Sequence, residues 1–291
     1  MNNSVIRIVF VSIAVPLLFA LALLVPNYNH LPVAIIILAF VAGSARELCL
    51  MIEKDRSRGR CLVATASAVI PYIAVYFSSI MFEGRGVTST WLAPVAFAST
   101  GTFLVFTLPF IVSGEHRQSD ELLRKYLSNA FYVLYPGILS SALVAILAAP
   151  VDSGRLLVWF SVMVFGNDSM AWAGGMLFGR HKGIFKVSPN KSLEGFIFGL
   201  LASVGASLAG PLIYPAAAGT KPAVLVLIGI VTGIAVVSGD LFESALKRAA
   251  GVKDSGVIIP GRGGMLDSFD SLLFAAPVFA DRKSTRLNSS H

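Results

Sequence analysis

Asp240, Glu243, Ser244 and Lys247 fall at i, i+3, i+4 and i+7 in Gly239–Ala250, so a helix there presents all four on one face. Asp267, Asp270 and Ser271 repeat the i, i+3, i+4 spacing at the start of the next apolar run. Between the two groups lies GVIIPGRGGM, a Pro- and Gly-rich turn whose backbone can approach a ligand closely. Gly239–Ser271 packs four Asp, one Glu, two Lys and two Arg into 33 residues. Hard cations such as Mg2+ take carboxylate oxygens and keep waters and substrate phosphates in their shell. Carboxylates from separate helices, with Lys and Arg beside them, are the equipment for phosphoryl or nucleotidyl transfer.

Two other stretches add chemistry. Asp168 lies in GNDSMAWAGG, inside an apolar run. A carboxylate at that depth is costly unless paired, hydrated or metal-bound, which points to function, although a structural pairing with a neighbouring helix would also account for it. Gly166, Gly174, Gly175 and Gly179 around it read as close helix-packing positions. The following loop, FGRHKGIFKVSPNKSLEGF, gathers Arg180, His181, Lys182, Lys186 and Lys191. Its Ser188, Lys191 and Ser192 could bind phosphate, Lys by charge and Ser by directed hydrogen bonds. A plain cationic loop at a membrane surface is the competing reading, and His181 reads as a solvated side chain.

The elements that position these residues are apolar helices. The chain has 291 residues, of which 55% are hydrophobic and 13% charged, with a mean hydropathy of +0.76. Soluble chains carry about 25% charged residues. Apolar runs span Val5–Val25, Leu31–Ile52, Cys61–Phe82, Trp91–Ser113, Phe131–Pro150, Arg155–Phe178, Phe196–Tyr214 and Pro222–Ser238, followed by a short Leu272–Ala280. Most are near the roughly 20 residues that a bilayer-spanning helix needs. The expected architecture is an all-α polytopic integral membrane protein of about nine transmembrane helices, eight full and the last truncated. Val5–Val25 reads as an uncleaved first helix rather than a signal peptide.

Loop charge sets the expected orientation. Glu53–Arg60 carries four Lys or Arg, Gly114–Ala130 three, Gly179–Gly195 four and Gly239–Ser271 four, whereas the alternate loops carry one or none. That alternation places the N-terminus and all the charged loops in the cytoplasm. It also assigns the net charge of +7 to loops at a membrane surface rather than to a nucleic-acid footprint. Anionic lipid headgroups or an anionic substrate fit it better. Cys49 and Cys61 flank one basic loop without metal-ligand spacing and read as free thiols. Residues 1–113 thus form an N-terminal set of four helices, 114–130 a polar connector helix, and 131–280 the region bearing the chemistry. The polar end, DRKSTRLNSSH at 281–291, is out of keeping with the rest and reads as a non-native tail.

Gly239–Ser271 resembles the C-terminal motif of the phosphatidate cytidylyltransferases (CDP-diacylglycerol synthases). The family pattern runs S-x-x-K-R-x4-K-D-x-G, then P-G-H-G-G, then D-R-x-D. Ser244, Lys247, Arg248, Lys253, Asp254 and Gly256 match the first part; Pro260, Gly261, Gly263, Gly264, Asp267 and Asp270 match the rest. FGRHK, SPNKSLEG and NDSMAW resemble further segments of the family, so the correspondence runs from about Gly166 to Ser271. Arg262 stands where His is usual, Ser268 where Arg is usual, and Asn190 and Ser192 replace Lys and Thr.

The resemblance implies an integral membrane nucleotidyltransferase that joins CTP and phosphatidic acid into CDP-diacylglycerol and pyrophosphate. It implies Mg2+, an accompanying monovalent cation such as K+, and a homodimer in the inner (cytoplasmic) membrane with the site facing the cytoplasm. Carried onto this chain, Asp168, Asp240, Asp267 and Asp270 become metal-binding acids. Asp240, Asp267, Asp270 and Lys247 form the catalytic set. Ser188, Lys191, Ser192, Glu243, Ser244 and Arg248 become substrate-binding positions, as do Lys253, Asp254, Arg262, Gly263 and Gly264. The competing readings are a CTP-dependent enzyme acting on another lipid or polyprenyl phosphate, and an ion-coupled transporter with Asp168 near the midplane. Acids gathered at one membrane face favour the enzyme.

Overall fold

A computed structural model describes residues 3–53, 57–81, 99–102 and 119–287, with side chains described for 12–53, 57–81, 99–102 and 123–280. Among them there is no strand, only isolated bridges at Lys182–Ser192 and Ile259–Gly263. The chain opens with α1 (Asn3–Leu24), α2 (Asn27–Ile52) and α3 (Arg58–Met81). Tyr28, Asn29 and His30 adopt left-handed backbone, so the regular right-handed part of α2 begins at Leu31, where the apolar run was expected to start. The expected span Trp91–Ser113 lies outside the described residues, apart from 99–102.

The polar connector and the following apolar run form one continuous rod. α4 (Ser119–Tyr132) passes through a π-helical turn, Val133–Ile138, into α5 (Leu139–Leu147). Pro136 lacks an N–H and would break an ordinary helix, but the wide turn absorbs it. α6 (Ser153–Phe178) carries Asp168 near its middle. α7 (Leu193–Leu208) is capped by Ser192, whose Oγ accepts the Gly195 N–H at 3.1 Å, and a short α8 (Gly210–Ile213) follows it.

α9 (Pro222–Ala249) starts with Pro in its first turn, where no intrahelical N–H is needed. It ends in a Schellman motif: the Val252 N–H reaches the Lys247 carbonyl at 2.9 Å and the Gly251 N–H reaches Arg248 at 3.1 Å. α10 (Leu266–Leu287) closes the described chain, continuing as backbone past the expected end of the apolar run at Ala280. Among the described residues, five helices are long and apolar enough to cross a membrane: Asn27–Ile52, Arg58–Met81, Leu123–Leu147, Ser153–Phe178 and Pro222–Ala249. Ser12–Leu24 and Leu193–Leu208 are shorter apolar helices.

α6, α7 and α9 pack on one another, and α10 joins them to the N-terminal group by lying against α9, α5 and α2. An added Cβ on Gly174 would overlap the Phe198 ring, and one on Gly239 would sit 2.6 Å from the Asp270 carbonyl, so α6–α7 and α9–α10 meet at glycine positions. Gly175 and Gly179 likewise abut Ser192. Gly166 does not: among the described residues nothing lies within 4 Å of its Cβ position, correcting the packing role expected for it. It lies on α6 two residues from Asp168. Tyr135, Phe242 and Phe274 fill the junction, with ring centroids 5.1 Å apart for Tyr135–Phe242 and 5.3 Å for Phe242–Phe274. Phe242 belongs to the turn of α9 that bears Asp240 and Glu243, so this aromatic contact braces the acids from behind.

Candidate active site

A cavity of about 550 Å³ opens where α6, α7, α9 and α10 converge. Asp168, Asp240, Glu243, Asp254, Asp267 and Asp270 line it, opposed by Lys182, Lys191, Lys247 and Arg262. The helical spacing explains most of this convergence. Asp240, Glu243 and Lys247 share one face of α9, while Asp267, Asp270 and Ser271 share the facing turn of α10.

Lys247 is the hinge of the ionic network. Its Nζ lies 2.6 Å from Asp267 Oδ1 and 2.6 Å from Glu243 Oε2. The other Asp267 oxygen accepts the Gly264 N–H at 2.7 Å and the Ser255 N–H at 2.9 Å, and lies 3.0 Å from Ser255 Oγ. Burial alone would lift the Asp267 carboxyl. Its contacts with Glu243, Lys247 and the Gly264 amide hold it below the usual carboxylate range instead.

The turn between α9 and α10 closes on itself through the Ile259 N–H to the Gly263 carbonyl at 2.8 Å. Gly263 has φ +108°, and a Cβ there would stand 2.6 Å from Asp267 Oδ2. Only glycine fits that conformation beside the carboxylate. The turn carries Arg262 across to α6, where its Nη2 is 4.0 Å from Asp168 Oδ2.

The loop before α7 contributes Lys191, which pairs with Asp240. Ser192 lines the cavity but spends its hydroxyl on capping α7. Ser188 sits in the tight turn at the loop's tip, its N–H on Phe185 O at 3.0 Å and its carbonyl taken by the Lys191 N–H at 3.1 Å, and does not line the cavity. His181 is exposed, as expected, but not merely solvated. Its Nδ1 lies 2.6 Å from Glu194 Oε1, and this bond, helped by the His181 backbone N–H, holds the Glu194 carboxyl down at about 2.

Several expected positions stay outside. Ser244 is buried within the helix packing, and Arg248 and Lys253 are exposed away from the cavity. Arg248 points a helical step past Lys247, toward the Val252 carbonyl at 3.5 Å. Adjacent helical residues do not face the same way. Gly263 and Gly264 act through backbone rather than as cavity wall.

Sequence reasoning missed Glu47. This α2 carboxylate is 2% exposed and accepts the Met265 and Leu266 N–H groups, each at 2.9 Å, and the Ser255 hydroxyl at 2.8 Å. A signal was present. Arg46-Glu47 interrupts the apolar run Leu31–Ile52, the same criterion that singled out Asp168.

The donor set suits a hard divalent cation. Asp270 is buried, and the carboxylates of Asp168 and Asp240 act on it across the cavity. Its Oδ1 accepts the Ser271 N–H at 2.7 Å. Among the described residues no three Asp, Glu, His or Cys side chains already form a closed ligand set. Mg2+ does not require one, because it binds through one or two carboxylates while keeping waters and phosphates.

A model described as the cytidylyltransferase family matches residues 5–281. The chain belongs to this family. Among curated proteins, it is 42% identical over 145 residues to a phosphatidate cytidylyltransferase of Helicobacter pylori (strain J99), covering 49% of this chain and 52% of that one. It is 31% identical over 188 residues to the phosphatidate cytidylyltransferase of Staphylococcus haemolyticus, covering 65% of this chain and 69% of the relative. It is also 45% identical over 131 residues to the uncharacterized Escherichia coli (strain K12) protein YnbB, covering 44% and 43%. The chain thus spans about half the length of YnbB and of the Helicobacter pylori enzyme. In this chain, the motif acids of α9 and α10 and the Lys191 loop form one cavity.

Proposed function

We propose that the protein transfers the cytidylyl group of CTP to phosphatidic acid, releasing pyrophosphate and leaving CDP-diacylglycerol in the membrane. The observation that carries this reading is the facing of Asp168, Asp240 and Asp270 by Lys191, Lys247 and Arg262 in one cavity between apolar helices. That is a site for a metal-bound polyphosphate beside a lipid. The relatives' names and the family match support the choice of substrates.

A phosphate oxygen of the lipid attacks the α-phosphorus of CTP. One P–O bond forms, the bond from the α-phosphorus to its bridging oxygen breaks, and pyrophosphate leaves with that oxygen. Lys191 and Arg262 would hold the phosphates in line, releasing their present carboxylate partners as they do so. Positioning and charge stabilisation then supply most of the rate. Asp240, Asp270 and Asp168 would hold Mg2+, which when bound neutralises the triphosphate. Asp267 orders Lys247 and the glycine turn. A monovalent cation such as K+ and a homodimer belong to the same reading and rest on the family resemblance.

The orientation is part of the proposal. All the Lys- and Arg-rich loops alternate with poor ones, which supports a cytoplasmic N-terminus and a cavity open to cytosolic CTP at the inner membrane. Membranes bearing the protein should form a CDP-lipid from CTP and phosphatidic acid when Mg2+ is supplied. Asp240→Asn and Asp270→Asn should each abolish it. Turnover undiminished in both variants would sink the assignment.

A further inference from the structure

Glu47 does not line the cavity. It comes from α2, in the N-terminal helices, yet its contacts lie 219 residues away in sequence at the start of α10. Met265 and Leu266 are the residues at which α10 begins, and their N–H groups have no intrahelical carbonyl to reach. The Glu47 carboxylate takes one with each oxygen, 2.9 Å apiece. A buried anion at that end also faces the positive end of the helix dipole.

The same carboxylate reaches the motif acids. Ser255 Oγ stands 2.8 Å from Glu47 Oε2 and 3.0 Å from Asp267 Oδ2, so its single proton serves one of them at a time. Asp267 in turn holds Lys247. The glycines of the turn make room for this arrangement, since Cβ atoms on Gly256 or Gly264 would collide with the Glu47 carboxylate. Within the motif Asp267 holds the turn through the Gly264 and Ser255 N–H groups, and Glu47 adds the hold from α2.

We infer that Glu47 is a positioning residue for the transfer reaction: from α2 it pins the glycine turn and the first turn of α10, and thereby sets Asp267, Arg262 and Asp270 in the cavity. Its role goes beyond holding the helices together, because the groups it orders carry the chemistry and it touches no substrate. The inference rests on the cytidylyl-transfer reading for its kinetic readout alone.

The test uses the full chain in detergent or bilayers, with Mg2+, CTP and phosphatidic acid. Glu47→Gln keeps the shape but replaces one acceptor oxygen with a donor facing N–H or O–H groups. Its kcat should fall on the order of 10- to 100-fold while KM for CTP changes little, as expected when supporting groups shift reacting ones by a fraction of an ångström. Hydrogen–deuterium exchange should speed up over 252–271 and stay at the native rate in α6 and α7. Unchanged kcat overturns the inference, and so does faster exchange throughout the chain with activity falling only in step with folded protein. If Glu47→Gln does not accumulate, Ser255→Ala decides. It cuts the link to Asp267 and leaves the α10 cap, so it should lower kcat without altering exchange in α6 and α7, and native kcat there overturns the inference. A wild-type chain that consumes no CTP sinks the transfer reading, while the exchange comparison still decides whether Glu47 fixes the turn.

Discussion

Lys247 joins α9 to α10 by lying 2.6 Å from Asp267 Oδ1 on the neighbouring helix while holding Glu243 on its own. The ammonium is 14% exposed and its two carboxyl partners 1% and 6%, so one buried cation ties two nearly dry acids together, with Asp267 as the charged one. Removing it strands the Asp267 carboxylate. Lys247→Met should therefore destabilise the fold by about 3–5 kcal/mol, the cost of breaking a buried ion pair from one side. Thermal unfolding in detergent checks this. Lys247→Met combined with Asp267→Asn should recover part of the loss, because the stranded charge is gone. A single variant as stable as the native protein would show that the pair contributes nothing to joining the helices.

The glycine turn predicts a different kind of sensitivity. Gly263 holds φ +108° with Asp267 Oδ2 in the space a Cβ would take. Gly263→Ala must either strain the backbone or push the carboxylate off Lys247, at about 1–3 kcal/mol for the strain alone. Turnover should fall with stability. Gly166→Ala is the control, since its Cβ enters open space and exchanges glycine for a better helix former. Stability equal to native in Gly263→Ala, or a marked loss in Gly166→Ala, would contradict this account.

These cases show what the sequence could and could not disclose. Asp240, Glu243 and Lys247 were legible because one helical period places them together, and Asp267, Asp270 and Ser271 for the same reason. Arg248 was assigned to the phosphates by family resemblance, yet the same periodicity turns it about 100° away from Lys247. Ser188 was misplaced because loop direction follows from closure, here the 3.0 Å bond from the Gly183 N–H to the Pro189 carbonyl, which no local pattern encodes. Glu47 escaped for a related reason. A charge in an apolar run announces a partner, but the run does not say which, and the partner lay at the far end of the chain. The polar connector also gave no hint of its continuity with α5, since a polar and an apolar stretch read as separate elements, while the helix runs on through the Val133–Ile138 π-turn.

Asp267 makes the fold acid-sensitive in a defined direction. Its carboxyl is held below the ordinary range, against the lift that burial gives, by Glu243, Lys247 and the Gly264 amide. A carboxyl with a folded pKa below its unfolded value of about 3.9 stabilises the fold fully above that value and loses its contribution as pH falls through the folded one. The stability of the native protein should therefore hold near neutral pH and decline below about pH 4. Asp267→Asn removes the titrating group, so the variant should be less stable at pH 7 and show a shallower decline in acid. Parallel curves of unfolding midpoint against pH for the two proteins would exclude Asp267 as a source of the decline.

Arg262 offers the most discriminating substitution, because it stands where the resembling family has His. Its guanidinium reaches Asp168 at 4.0 Å from the rim of the cavity, where it remains 23% exposed. Arginine keeps its charge at every working pH, whereas an imidazole with an ordinary pKa near 6.5 is charged only in acid. Under the proposed transfer reaction, Arg262→His should therefore retain turnover at pH 6, and its kcat/KM for CTP should fall as pH rises toward 8, relative to the native protein. Arg262→Ala lacks the donor altogether and should raise KM for CTP on the order of 10-fold at both pH values, the worth of a charge-assisted hydrogen bond. A histidine variant whose pH profile parallels the native one would mean that charge at this position does not bear on the nucleotide. The 4.0 Å approach to Asp168 would then be a structural contact between the glycine turn and α6, and Lys191 and Lys247 would carry the phosphates without it.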